Sequence, residues 1–394
     1  MTALAIEIAA GNGAVRHTDF TITADGSYAA RLVRGGGEGE RWFPERWTLD
    51  GPEPYAVPLP GNQPEEPDAS VLPMADGRVL IHRRVADRDA FALLYPTGPG
   101  TGELALGRIA HDAERRLSLL PPSPNGSCAY ALAAGPENST IWLVAGGAFG
   151  PEPVATLRGH CSGGAWLDRT GRMLALDREV DGRTKAVAVD LERGGEVTPL
   201  LQITEESEDR LLLADPDTGL LLLRSDAPGH HRLGWGVLGS TLPVRFPECL
   251  RLADAAVTPF AVQPGQALMP ESCAVAVRID AAAGTWLGVW RPAGRTLHQL
   301  AAPQGWLAGS GLWTRDGVLR LPCATASAPC AVAAVRAPAD VPRPTPVPCA
   351  TASAPCAVAA VRAPADVPRP APVPVKPQAP RPVPLAQAPL TGRQ

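Results

Sequence analysis

The sequence predicts an all-β protein, a seven-bladed β-propeller of four-stranded antiparallel blades followed by a disordered proline-rich C-terminal tail. Three observations carry this. A short apolar run, a turn with glycine and a second apolar run recur seven times, with turn glycines Gly26, Gly77, Gly126, Gly171, Gly219, Gly265 and Gly317. Successive glycines stand 51, 49, 45, 48, 46 and 52 residues apart, the period of a propeller blade. Helical periodicity is sustained nowhere along the chain.

The copies read "TADGSYAARLV", "MADGRVLIHRR", "SPNGSCAYALA", "DRTGRMLALDR", "DPDTGLLLLRS", "VQPGQALMPESCAVAVRI" and "TRDGVLRLPCA". Asp-Gly and Asn-Gly pairs supply the positive φ angles of tight hairpins. After each turn come a strand, a polar loop and a further strand such as "STIWLVA", "TKAVAVDLE" or "GTWLGVWRP". Another follows, such as "ELALGRIA", "PVATLRG" or "EVTPLLQI". With the run before the glycine, each unit has four strands. The seventh is one short: it offers only "GWLAGSGLW", "DGVLRLPCA" and "APCAVAAVRA". An open blade edge needs a cover, and residues 3–9 of the N-terminal "ALAIEIAA" are expected to supply the missing strand and close the ring.

Two stretches resemble known families. "ATLRGHCSGGAWLDRTGRMLALD" is similar to a WD-repeat, with Gly159-His160 and with Val189-Asp190 in place of Trp-Asp. "SPNGSCAYALAAGPENSTIWLV" resembles the TolB-like propeller repeat, which also forms the N-terminal ring of prolyl oligopeptidase-type enzymes. The resemblance covers roughly residues 14–335. It implies the propeller fold, and it implies that His160 belongs to a structural hydrogen-bond network.

The predicted domains are a ring over residues 1–335 and a low-complexity tail over 336–394. Residues 323–348 are written again as 349–374 with one change, Thr345 to Ala371. The first copy belongs to the last blade, so the second is surplus to the ring and reads as a tandem duplication. The proline-dense remainder favours extended conformations without a core.

Composition narrows the function classes. Net charge is −4 and the isoelectric point about 6.0, so there is no overall basic footprint for nucleic acid. Hydrophobic residues make up 45%, enough for a core. Only Lys185 and Lys376 are lysines, a bias assigned to a GC-rich genome. The start "MTALAIEIAAGNG" has no basic n-region, and no run reaches the length of a membrane span. The expectation is a soluble, cytoplasmic, monomeric ring, with its eight cysteines as thiols and no nucleic-acid or membrane partner.

Catalytic, metal and cofactor motifs are not found. Cys323, Cys330, Cys349 and Cys356 form two C-x6-C pairs, too widely spaced for the usual zinc turn. Cys128, Cys161, Cys249 and Cys273 stand singly as small buried hydrophobes. "GHCSGG" lacks the first glycine of a nucleophile elbow, and adjacent His160 and Cys161 point to opposite faces of a strand. His230-His231 falls in a solvent loop, and "RGGGEGER" lacks the lysine and the helix of a phosphate loop.

What remains is charge placement. The loops between second and third strands, and those joining blades, share one propeller face and are rich in carboxylates. Asp177, Glu179 and Asp181 in "DREVDGR" and Glu205, Glu206, Glu208 and Asp209 in "TEESED" are the candidate binding residues. From Cys323 onward the chain carries seven basic residues against two acidic ones, so the ring itself is the acidic part. The reading is a non-catalytic scaffold that binds a protein or small ligand, basic or cationic, through this face, the chain's own basic tail being one such partner. The alternatives are a gating or accessory ring of a serine hydrolase or peptidase, and a propeller enzyme with a site in the central channel.

Overall fold

The computed structural model describes residues 20–35, 41–98, 100–265 and 269–338. They form seven antiparallel sheets, each the predicted blade. Blade 1 is β1 (Thr21–Ile22), β2 (Tyr28–Gly35), β3 (Arg41–Thr48) and β4 (Tyr55–Pro58). Blade 2 is β5 (Ser70–Pro73), β6 (Val79–Val85), β7 (Arg88–Pro96) and β8 (Thr101–Ala110). Blade 3 is β9 (Arg116–Leu119), β10 (Ala129–Ala134), β11 (Asn138–Ala145) and β12 (Glu152–Arg158). Blade 4 is β13 (His160–Trp166), β14 (Met173–Val180), β15 (Arg183–Asp190) and β16 (Glu196–Leu201). Blade 5 is β17 (Asp209–Ala214), β18 (Leu220–Ser225) and β19 (Arg232–Val237). Blade 6 is β20 (Ala255–Val262), β21 (Val275–Ala281), β22 (Gly284–Trp290) and β23 (His298–Leu300). Blade 7 is β24 (Leu312–Trp313), β25 (Val318–Cys323) and β26 (Ala331–Arg336). Strands pair in chain order within every sheet.

The core lies between blades. Successive side chains on a strand point to opposite faces, so a blade sandwiched between two others must be apolar on both. "LLLL" at 220–223 shows this directly: Leu220 and Leu222 pack toward blade 6, while Leu221 and Leu223 pack toward blade 4. The same alternation produces seven separate apolar clusters, one for each seam of the ring. The seventh joins blade 1 to blade 7. Trp47, Leu49 and Ile22 meet Ala324, Cys330 and Val332 there. Ser310 Oγ donates to Phe20 O at 3.0 Å, and Arg320 Nη2 donates to Leu49 O at 2.6 Å. The ring therefore closes by side-chain packing across this seam. Residues 3–9, expected as the clasp, lie outside the described residues.

Six of the seven turn glycines have positive φ, between 66° and 81°. At Gly26 φ is +77°, and a Cβ would also press on the end of the Leu312 side chain. The copy at Gly265 makes no tight hairpin: β20 ends at Val262 and β21 begins at Val275, with a 3-10 turn at Pro270–Ser272 just before it, and "VQPGQALMPES" has no Asp-Gly or Asn-Gly pair and two prolines.

Blade 5 also departs from the four strands expected. Where its outer strand should run, only Arg245 pairs, exchanging hydrogen bonds with Trp235 at 2.9 and 3.0 Å. Pro243 and Pro247 flank it, and neither can donate to a ladder. Among the described residues blade 7 has the three strands expected, and the first copy of the duplication supplies the end of β25 and all of β26. The second copy, at 349–374, and the proline-rich tail lie outside the described residues. Among the described residues no helix is long and apolar enough to cross a membrane.

Candidate ligand-binding face

In an antiparallel blade the turn between second and third strands and the link to the next blade emerge on the same side. Blade 4 places Asp181-Gly182 there, with Asp181 in the left-handed region at φ +51°. The link 202–208 and the 226–231 loop of blade 5 lie beside it. The seven candidate carboxylates are thus drawn together around blade 4, but into two different settings.

The first setting is the seam between blades 4 and 5. Arg183 binds both the carboxylate and the carbonyl of Glu206, the latter at 2.8 Å. Thr184 N–H reaches the Glu208 carboxylate at 3.2 Å, and Glu208 N–H donates to Asp226 at 2.7 Å. Lys185 Nζ donates to Thr204 O at 2.6 Å and ion-pairs with Asp209 at 2.8 Å. Asp209 is fully buried and also accepts from Ser225 Oγ at 2.6 Å and Ile203 N at 3.0 Å. Burial alone would raise its pKa, but Lys185, Ser225, Ile203 and Ser207 together hold it below the ordinary carboxylate value.

Asp177 is buried in the same seam and accepts Leu211 N–H from blade 5 at 2.9 Å. Its burial outweighs that bond and the pull of Arg210 and Arg224, so its pKa is pushed up to about 6. The expectation of surface carboxylates is therefore corrected at Asp177 and Asp209: both face inward, because each is needed to satisfy partners of the adjoining blade. Glu205 is exposed on the link.

The second setting is a groove of about 520 Å³ between blades 3 and 4, lined by Glu137, Asn138, Arg158, His160, Glu179 and Asp181. All six are exposed. Among the described residues, the carboxylates of Glu137, Glu179 and Asp181 have no ion-pair partner. His160 Nδ1–H donates to Gly135 O of blade 3 at 3.2 Å, so it bridges the blades while lining the groove. Glu137 and Arg158 were not singled out from the sequence. Only their place within the "AAGPEN" turn and just before Gly159 could have pointed to them.

A third feature was not anticipated either. Between blades 2 and 3 a groove of about 510 Å³ is lined by His111, Asp112, Arg115, Leu117, Ala133 and Trp142. Beneath it, buried Asp89 bonds His82 Nε2 at 2.8 Å and His111 Nδ1 at 3.0 Å. Elsewhere the six described cysteines are free thiols, His230 and His231 are exposed, and no three His, Cys, Asp or Glu side chains among the described residues converge as a metal-binding group.

No protein-family model matches the chain, and no curated protein matches it. Its fold is shared with solved structures. A puromycin-hydrolysing peptidase of Mycobacterium tuberculosis aligns with a TM-score of 0.51 at 16% identity, over 81% of this chain and 52% of that one. An oligogalacturonate lyase of Vibrio parahaemolyticus aligns at 0.50 and 11% identity, over 81% and 88%. TolB from Acinetobacter baumannii aligns at 0.40 and 11%, over 78% and 80%. This chain thus spans about half the length of the peptidase it resembles. At these identities the likeness establishes the propeller fold, as the repeat pattern predicts.

Proposed function

We propose that the protein is a non-catalytic binding platform whose groove between blades 3 and 4 takes the cationic group of a protein or small-molecule partner. The observation that carries this reading is the division of the acidic residues. Asp177, Glu206, Glu208 and Asp209 of the 4/5 seam already have cations or amides as partners, whereas in the exposed groove Glu137, Glu179 and Asp181 outnumber the single arginine, Arg158, and among the described residues form no ion pair with it. Like charges gathered on a surface repel, and a cation from a partner relieves that cost while the field raises its association rate.

A fluorescein-labelled hexalysine peptide tests the charge logic. Its affinity should fall several-fold as ionic strength rises from about 50 to about 200 mM, where screening shortens to roughly 7 Å. Binding that ignores salt, or no binding at low salt, contradicts the reading. An accessory ring for a separate hydrolase is the second reading, supported by the fold likeness to a peptidase of which this chain spans 52%. Co-purification of a stoichiometric serine hydrolase, trapped by an active-site fluorophosphonate, would favour it.

A further inference from the structure

The groove between blades 2 and 3 has a different chemistry. Asp89 is buried, and an ionised carboxylate only accepts hydrogen bonds, so both His82 and His111 donate to it. In the neutral imidazole this fixes the His111 proton on Nδ1 and leaves Nε2 as an acceptor. Among the described residues, Nε2 has no partner. The supporting chain continues inward: His82 Nδ1 meets Ser70 Oγ at 3.2 Å, and its ring stacks on Phe91 with centroids 5.2 Å apart.

Around this acceptor stand a half-buried indole, Trp142, and one residue of each charge. Asp112 and Arg115 ion-pair at 3.2 Å, and both are about half exposed. Asp112 is held by the Glu114 N–H at 3.0 Å, within a tight turn closed by Arg115 N–H to Asp112 O at 3.0 Å. Arg115 disfavours a cationic ligand. Asp112 and the buried Asp89 disfavour an anionic one. A purely apolar ligand would strip water from three polar side chains and return no hydrogen bond. A hydroxyl group donates and accepts, so it suits His111 Nε2, Asp112 and Arg115 alike. The volume lies within the roughly 300–1,000 Å³ of small-molecule sites.

We propose that this groove binds a neutral saccharide, with the C–H face of a sugar ring on Trp142 and its hydroxyls on His111, Asp112 and Arg115. The site is separate from the acidic groove of blades 3 and 4, so either can fail without the other.

The test is calorimetric titration of the full chain with maltotetraose and with cellotetraose. At least one should bind saturably. Trp142→Ala should weaken that binding about tenfold, the scale of an aromatic contact. Arg115→Gln, on an exposed link, should weaken it about fivefold and leave the fold intact. Glu179→Gln with Asp181→Asn, in the other groove, should leave it unchanged. If neither saccharide binds saturably, or if Arg115→Gln binds as the wild type does, the proposal is overturned. Should Trp142→Ala fail to fold, Arg115→Gln decides alone.

Discussion

Replacing Lys185 with methionine should destabilise the protein by about 3–5 kcal/mol at pH 7, the usual cost of leaving a buried carboxylate without its cation. Asp209 has no exposed surface, and among the described residues Lys185 is its only charged partner within an ion-pair distance. Ser207, Ser225 and Ile203 can bond the carboxylate, yet none of them neutralises it. The loss should shrink toward pH 4, where Asp209 in the variant can take up a proton. Pairing Lys185→Met with Asp209→Leu should recover much of the stability, since apolar replacement of a whole buried pair is often neutral or better. Urea midpoints of the three proteins measure this. A loss below about 1 kcal/mol for Lys185→Met would mean that the seam admits water or another cation.

Asp177→Asn should do the opposite and stabilise the ring at pH 7, by at most about 3 kcal/mol. The folded-state pKa of Asp177 is raised from 3.8 to about 6. The folded state therefore holds this proton more tightly than the unfolded chain. Wild-type stability declines as pH rises from about 4 through about 6, and the deficit is complete at neutrality, at about 1.4 kcal/mol per pKa unit. Asparagine keeps an oxygen for Leu211 N–H and carries no charge to bury. The advantage of the variant should vanish near pH 4. Thermal melts at pH 4 and pH 7 give the comparison, and equal melting temperatures at pH 7 would contradict it.

The ring was legible because its information is local. Asp-Gly and Asn-Gly pairs fix turns, two-sided apolar runs such as Leu220–Leu223 fix buried strands, and the period between them fixes the blade. Where the sequence misled, the cause is also physical. Gly265 repeats the spacing without the turn chemistry, and Pro243 and Pro247 reduce an apolar run in blade 5 to a single bridge. The candidate site was legible in location and not in detail. A carboxylate in a polar stretch looks the same whether it faces water, as Glu179 does, or a lysine of the neighbouring blade, as Asp209 does. That distinction depends on residues about 24 positions away and on the stacking of two blades. In a chain with two lysines, Lys185 is itself a signal: it is the largely buried counter-ion of the seam, and codon bias does not account for its place. The Asp89 pairing with His82 and His111 joins three strands or links of blade 2, and no spacing in the sequence marks it.

The division of the acidic face into a structural seam and a binding groove is tested most directly by one titration series with labelled hexalysine at low salt. The wild type is compared with Glu179→Gln/Asp181→Asn in the groove and with Glu205→Gln/Glu206→Gln on the seam link. Asparagine tolerates the positive φ of Asp181, so the first pair changes charge and not backbone. The groove pair should lose about tenfold or more in affinity, while the link pair should bind within about twofold of the wild type. Undiminished binding by the groove pair, or the larger loss in the link pair, would contradict the account.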